Sequence, residues 1–435
     1  MNLSTTLNGR IKIRELSESE IRWHGNAKSR IFVRIALIIE SRLNFFEQRD
    51  LINKSIAKWT QSNKLLRSRI DRDDKSRLWY VLLNKNEIIN KAHFVDDAAP
   101  APSLDSWFAF LERQLNDDPA DHQTWELTLY RIDNNRIGIF FKIDHSICEI
   151  RCGHWILMHL FQIVEEQTLN LNLSQTKSEL YASLDDLLDD LFVDMRSMSL
   201  PKLNPFPIET IGSYDALSSR FKWFKVDADS FKVIRSKCKS QNVKLTHYLN
   251  LICCWAFAEA STGDFDKINY FTTVNLRQYL LNNDDKSLGC YVSCLASCFD
   301  PSWLDDLNRF WIYARTQSES FHNRLRSGEQ FKLDIENHVF GSQPTRNQMK
   351  YHFGTTNYGV LDVNHTVNDL VVVKQSNTLI KFPGNASQFN DFLFYNQIIT
   401  IGNEIHWTIS YDANRLSDEL IQKLIQNIND LIRKV

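Results

Sequence analysis

His145 and Glu149 stand four residues apart in the segment Phe141 to Gly153, which reads F-K-I-D-H-S-I-C-E-I-R-C-G. An imidazole with a pKa near 7 suits the removal of a proton from an attacking hydroxyl or amine, and an acid beside it can orient the turn that carries it. The spacing alone decides little, because 12 histidines and 53 acids in 435 residues give about 1.5 such pairs by chance. Position singles out His145. It follows Arg136 to Ile143, whose Ile137, Ile139, Phe140, Phe141 and Ile143 are apolar on both faces and fit a central strand. It precedes Ile150 to Val164, where Trp155, Ile156, Leu160, Phe161 and Val164 recur at helical spacing. His145 is therefore expected at a strand-to-helix junction, where a structural histidine satisfied by its neighbours is the competing reading.

Other chemistries find less support. Eight cysteines in so long a chain do not make a disulfide framework, so a reducing, cytoplasmic setting is expected. Cys148/Cys152 and Cys290/Cys294/Cys298 have four-residue spacing, but no Cys-x-x-Cys or His-x-x-x-His accompanies them. Small buried core residues are expected there, with no metal. No glycine-rich phosphate loop is visible, so no bound nucleotide cofactor is expected. With 51 basic against 53 acidic residues there is no net field to hold nucleic acid. Met1 to Glu15, with Arg10, Lys12 and Arg14, lacks the apolar run of a signal peptide. The most apolar window, Leu245 to Ala260, is broken by His247, Asn250 and Glu259 and reads as a buried helix, so no transmembrane segment is expected.

The elements that must position these residues follow from pattern. The length exceeds one ordinary core and the 43% hydrophobic content can fill two, so two domains are expected. Ile31, Val33, Ile35, Leu37 and Ile39 alternate as a strand. An amphipathic stretch through Leu51, Ile56 and Trp59 then leads into a Leu65-Leu66-Arg67 turn. Glu126 to Ile132 and Arg136 to Ile143, separated by Asp133, Asn134 and Asn135, predict a hairpin. Asp185, Asp186, Asp189 and Asp190 mark an acidic helical piece, and Pro201, Pro205 and Pro207 crowd into seven residues that can continue neither helix nor central strand. The division is thus an N-terminal lobe over 1–190, a proline-rich crossover over 191–207 and a C-terminal lobe over 208–435. In the second half, Thr246 is expected to cap a helix running to Ala260, and a β-rich run from Ile268 ends in Asn275, Leu276 and Arg277. Ile405, Trp407 and Ile409 alternate with His406, Thr408 and Ser410 as a half-buried strand, and Ser417 caps a last helix from Leu420 to Ile432.

Four segments, taken in order, resemble one superfamily. Phe141 to Gly153 resembles the His-His-x-x-x-Asp-Gly region of condensation domains, BAHD and alcohol acyltransferases, and mycobacterial polyketide-associated acyltransferases. Thr273 to Leu280 (T-V-N-L-R-Q-Y-L) with Leu288 to Ser293 (L-G-C-Y-V-S) resembles the Val-Asn-Leu-Arg and Leu-Gly-Asn-x-Val segments. Phe353 to Val363 (F-G-T-T-N-Y-G-V-L-D-V) resembles the Ser-Asn-x-Gly segment, and His406 to Leu431 the closing strand and helix. The chain is identified on these motifs as a member of the chloramphenicol-acetyltransferase-like superfamily, closest in style to its alcohol acetyltransferase and condensation-domain branch.

The resemblance implies two α/β sandwich lobes with an active-site channel between them. It implies transfer of an acyl group from a CoA or carrier-protein phosphopantetheinyl thioester, as co-substrate, to a hydroxyl or amine of a small molecule or lipid, with no permanently bound cofactor. His145 takes the place of the general base. Glu149 and Arg277 take that of a carboxylate–arginine pair expected to bridge the lobes and brace the histidine, with Asn275 in support. Thr356 and Asn357 fall where the family places groups near the oxyanion or acceptor. Three departures stand out: Asp144 replaces the first His, Glu149 the Asp and Ile150 the Gly. Glu149 and Ile150 motivate a second expectation, a catalytically silent member of the fold that binds a ligand or a protein.

Overall fold

Strands form where apolar residues alternate or run unbroken, and helices where the period lengthens to 3.6. The computed structural model describes residues 6–25, 30–88, 91–96, 103–117, 124–169, 183–188, 206–207, 219–261, 265–280, 288–303, 307–331, 348–361, 370–382 and 392–434. In chain order the first half contains β1 (Thr6–Leu7), β2 (Arg10–Glu15), α1 (Glu18–His24), β3 (Phe32–Ser41) and α2 (Arg49–Ser62). Then come β4 (Ser68–Arg72), β5 (Leu78–Leu82), β6 (His93–Val95), α3 (Leu104–Asn116), β7 (Trp125–Arg131), β8 (Arg136–Asp144), α4 (Ile150–Thr168) and α5 (Leu184–Leu188). The second half contains β9 (Phe206–Pro207), β10 (Ser219–Val226), α6 (Ala228–Ser240), α7 (Leu245–Ala260), β11 (Ile268–Asn275), β12 (Val292–Phe299) and α8 (Leu307–Arg326). It closes with β13 (Gln348–Met349), β14 (Tyr351–Leu361), β15 (Val371–Leu379), β16 (Phe392–Ile401), β17 (Glu404–Asp412) and α9 (Asp418–Lys434).

These elements form two units, and the chain visits the first one three times. One unit comprises Met1–Asp190, Arg277–Tyr291 and Asp362–Leu379; the other comprises Leu191–Leu276, Val292–Leu361 and Ile380–Val435. The linear division expected at 208–435 is therefore interrupted twice. The physical reason for the second return is visible in the sheet: β15 pairs antiparallel with β3 and covers what would otherwise be its open edge. Of the expected crossover 191–207, all but Phe206 and Pro207 lies outside the described residues, as do Asp189 and Asp190 of the acidic piece.

The first unit carries a five-stranded sheet in the order β15-β3-β8-β7-β6 and a four-stranded sheet in the order β1-β2-β5-β4. β8 is the middle strand of the five, as its two apolar faces predict, and every residue from Ile137 to Asp144 is buried. The Asp133 carboxylate accepts from the amides of Asn135 and Arg136 at 2.9 and 2.7 Å, which closes the β7–β8 hairpin. On one face α2 and α4 pack together, tied by Trp59 Nε1 donating to the Ile156 carbonyl at 3.1 Å. On the other, Trp107 and Phe110 of α3 lie against Tyr130, and Phe110 meets Phe140 edge-on.

The second unit has a six-stranded sheet in the order β10-β17-β16-β14-β11-β12, and its core joins one face of that sheet to α6, α7, α8 and α9. Two sequence expectations change here. Lys244, not Thr246, occupies the N-cap of α7, and Thr246 sits inside the helix, where its hydroxyl accepts a hydrogen bond from Asn357 Nδ2 at 3.1 Å. β17 is buried on both faces rather than one, because His406, Thr408 and Ser410 are each about 1% exposed or less. Ser417 does cap α9, accepting from the Leu420 amide at 3.2 Å.

Candidate active site around His145

The site grows from the end of β8. Asp144 closes the strand, the chain turns through His145, Ser146 and Ile147, and α4 starts at Ile150. The His145 amide donates to the Ile31 carbonyl at 2.9 Å, which pins the turn beside β3. The imidazole stacks on Trp23 of α1 with ring centroids 4.3 Å apart and planes 22° from parallel. Its Nδ1 lies 3.3 Å from Cys290 Sγ, and Nε2 has no hydrogen-bond partner among the described residues. Burial lowers the His145 pKa, against the opposing pull of its own carbonyl and the Glu149 and Asp144 charges. At neutral pH the ring is uncharged and Nε2 can accept a proton when Nδ1 holds the hydrogen.

Asp144, in the place of the family's first His, is completely buried and fully bonded. Its Oδ2 accepts from His24 Nδ1 and Arg30 Nη2, both at 2.8 Å, and its Oδ1 from the Ser146 amide at 3.0 Å and hydroxyl at 2.7 Å. Burial would raise its pKa, but His24, Arg30 and Ser146 together hold it well below the usual carboxylate range. Asp144 thus ties the turn to the segment that brings Trp23 over His145. That segment is itself well anchored. Ser17 and Glu20 form a capping box at the start of α1, and Arg14 grips the Glu20 carboxylate from β2.

Glu149 occupies the N-cap of α4, yet its carboxylate does not cap the helix. It accepts two bonds from Arg277, Nε to Oε1 at 2.7 Å and Nη2 to Oε2 at 3.0 Å. Arg277 is 1% and Glu149 4% exposed. The guanidinium also donates from Nη2 to the Gly289 carbonyl at 2.9 Å and lies 4.6 Å over the Tyr291 ring. Gly289 has φ +155° and a Cβ there would overlap the Tyr291 ring, so only glycine lets the ring, the guanidinium and the bridge from Gly289 to Cys148 coexist. Burial works against the Arg277 charge, but Glu149 raises its pKa well above the ordinary value. Arg277 was expected to reach across from the C-terminal lobe. It instead belongs, with 277–291, to the same unit as His145, because the segment folds in against Cys148 and Glu149.

The remaining predicted residues belong to the other unit. Asn275 ends β11, paired with Val292. Thr356 and Asn357 lie inside β14, not in the plain turn that Thr356-Asn357-Tyr358-Gly359 suggests; a β-bulge falls between Asn357 and Val360, with Gly359 at φ +77°. Asn357 builds that bulge, its Oδ1 accepting from the Gly359 amide at 3.0 Å while Nδ2 donates to Thr246. Thr356 Oγ1 instead meets two other hydroxyls, Thr273 Oγ1 at 2.9 Å and Tyr395 Oη at 2.6 Å.

Sequence reasoning missed the contacts that Trp23, His24, Arg30 and Cys290 make at the turn of His145. The Ser-x-x-Glu signature at Ser17 to Glu20 could have announced α1 and so drawn attention to Trp23 and His24. Cys290 was expected only as a small core residue, and nothing local announces its contact with His145, far along the chain. Among the described residues no group of three His, Cys, Asp or Glu side chains converges to hold a metal, and no helix is long and apolar enough to cross a membrane. All eight cysteines are free thiols.

Comparison with solved structures shows that the chain has the chloramphenicol-acetyltransferase-like fold. Polyketide synthase associated protein 5 from Mycobacterium tuberculosis is 10% identical, with a TM-score of 0.69 over 97% of each chain. Trichothecene 15-O-acetyltransferase from Fusarium sporotrichioides is 13% identical, with a TM-score of 0.68 over 99% of this chain and 97% of the other. The first condensation domain of the CDA synthetase is 10% identical, with a TM-score of 0.69 over 97% and 95%. No family model and no curated protein sequence matches the chain.

Proposed function

We propose that the chain is an acyltransferase that moves an acyl group from a CoA or carrier-protein thioester to a hydroxyl or amine of a small molecule or lipid, through a ternary complex. The observation that carries this reading is the state of His145: neutral, fixed through its amide and Nδ1 side, and with Nε2 unengaged among the described residues. Nε2 takes the acceptor's proton as the acceptor's lone pair forms a bond to the thioester carbonyl carbon. Collapse of the adduct breaks the carbon–sulfur bond, and the departing thiolate takes the proton back from Nε2. Glu149 and Arg277 act by holding the turn. The thioester is a co-substrate, and the reaction needs no resident cofactor.

The test is thioester consumption, read as free thiol released, against a panel of acyl-CoA donors and of alcohol and amine acceptors. His145→Ala should slow turnover about 100-fold to 10,000-fold with donor binding little changed. Unaltered turnover would exclude His145 as the base. Trp23, which covers one face of the imidazole, favours a second reading, a silent binder. Saturable donor binding without turnover across the panel would support that one.

A further inference from the structure

Cys290 Sγ lies 3.3 Å from His145 Nδ1, and both residues belong to the unit that carries α1, β3, β8 and α4. A thiol against an imidazole is a reactive pairing, because the ring can take the thiol hydrogen as the sulfur attacks. Each partner is held in place. The His145 amide donates to the Ile31 carbonyl, and the ring stacks on Trp23. Cys290 follows Gly289, which bridges to Cys148 and whose carbonyl accepts from Arg277 Nη2 at 2.9 Å. In the tautomer that carries its hydrogen on Nε2, His145 presents the Nδ1 lone pair to the thiol. Burial favours the uncharged ring, so that lone pair is available at neutral pH. By contrast, burial raises the thiol pKa of Cys148, Cys238, Cys253, Cys254 and Cys298, which lowers their reactivity.

Access limits what can react. Cys290 is 4% exposed, and His145 beside it keeps part of its surface open. The reagent must therefore be small and need no binding pocket of its own, which hydrogen peroxide satisfies. We propose that Cys290 is a covalent modification site for hydrogen peroxide, with His145 as the general base. The sulfur attacks one peroxide oxygen while Nδ1 takes the thiol hydrogen. The O–O bond breaks and its electron pair leaves with the far oxygen as hydroxide, which takes the proton from Nδ1 and departs as water. Sulfur is oxidised to a sulfenic acid and the peroxide is reduced. A small thiol reverses the change, condensing with the sulfenic acid to a mixed disulfide that a second thiol reduces. No step uses a thioester, so the inference stands apart from the acyl-transfer reading.

The test adds limiting hydrogen peroxide to the intact protein, then denatures it in N-ethylmaleimide, and reads by peptide mass mapping the fraction of each cysteine that escapes the label. Cys290 should escape at least about 10-fold faster than any other cysteine, and dithiothreitol added before labelling should restore it. The pH profile separates base assistance from mere access. With His145 taking the hydrogen, the wild-type rate should stay level between about pH 8 and about pH 6.5. In His145→Ala the thiol must ionise unaided, so its rate should fall about 10-fold per pH unit over that range and be about 100-fold below wild type near pH 7. Escape of Cys290 no faster than the other cysteines, or a wild-type rate that itself falls about 10-fold per unit, would overturn the proposal. Both of those readings come from the unsubstituted protein, so they decide the matter even if His145→Ala does not fold.

Discussion

Glu149 carries one methylene more than the aspartate of the motif it resembles, and that length lets it stay at the N-cap of α4 while meeting Arg277 with both oxygens. Removing one partner of a buried pair leaves the other charge without compensation, at a cost of about 3 to 5 kcal/mol. Arg277→Ala should therefore lower the urea midpoint strongly and reduce turnover with it, and Arg277→Lys should recover only part, since an ammonium cannot reproduce the two-pronged contact. An unchanged midpoint and rate would remove the bracing role. Of these residues, His145 was legible because its strand and helix are both strongly patterned. Arg277 was legible only through the resemblance, and the spacing gave no hint that its segment folds in with the N-terminal residues. Asp144 looked like a departure from the motif; its meaning depends on His24 and Arg30, more than a hundred residues earlier, and no local pattern encodes that.

At the scale of elements, the alternating and amphipathic runs gave β3, β7, β8, α4, α7 and α9 close to their observed bounds. The failures share a cause. Thr246 was read as a cap because caps are recognised locally, but its hydroxyl is used by Asn357 of β14. Thr356-Asn357-Tyr358-Gly359 has the residue types of a turn, which a bulge shares, and only pairing with β16 tells the two apart. Gly354 shows the same limit, since its purpose lies in the ring of Tyr395 on the next strand. Gly354→Ala should displace that ring, lowering stability by about 1 to 3 kcal/mol through overpacking. An unchanged melting temperature in Gly354→Ala would show that the strand tolerates a side chain there.

Across the whole molecule, buried imidazoles set the response to acid. Burial lowers His154 and His352 to about 4 and His247 and His406 to about 3. Unfolded, each takes up a proton below about 6.5; folded, each resists until its lowered value. Stability is thus full above about 6.5 and falls as pH is lowered toward 4, with Asp144 joining below its ordinary 3.8. The urea midpoint should be clearly lower at pH 5 than at pH 7.5, and equal midpoints would contradict the neutral buried state of these rings. The return of β15 to β3 bears on how the protein is made. A ribosome releases β3, β7 and β8 well before Val371–Leu379, and at about 5 to 20 residues per second the delay is on the order of tens of seconds. Through that interval β3, paired with β8 on one side, keeps its other edge open, the kind of edge that recruits other chains. The unit that carries His145 thus matures last to its own edge strand, and the growing polypeptide depends on dilution or a chaperone to reach that point unpaired.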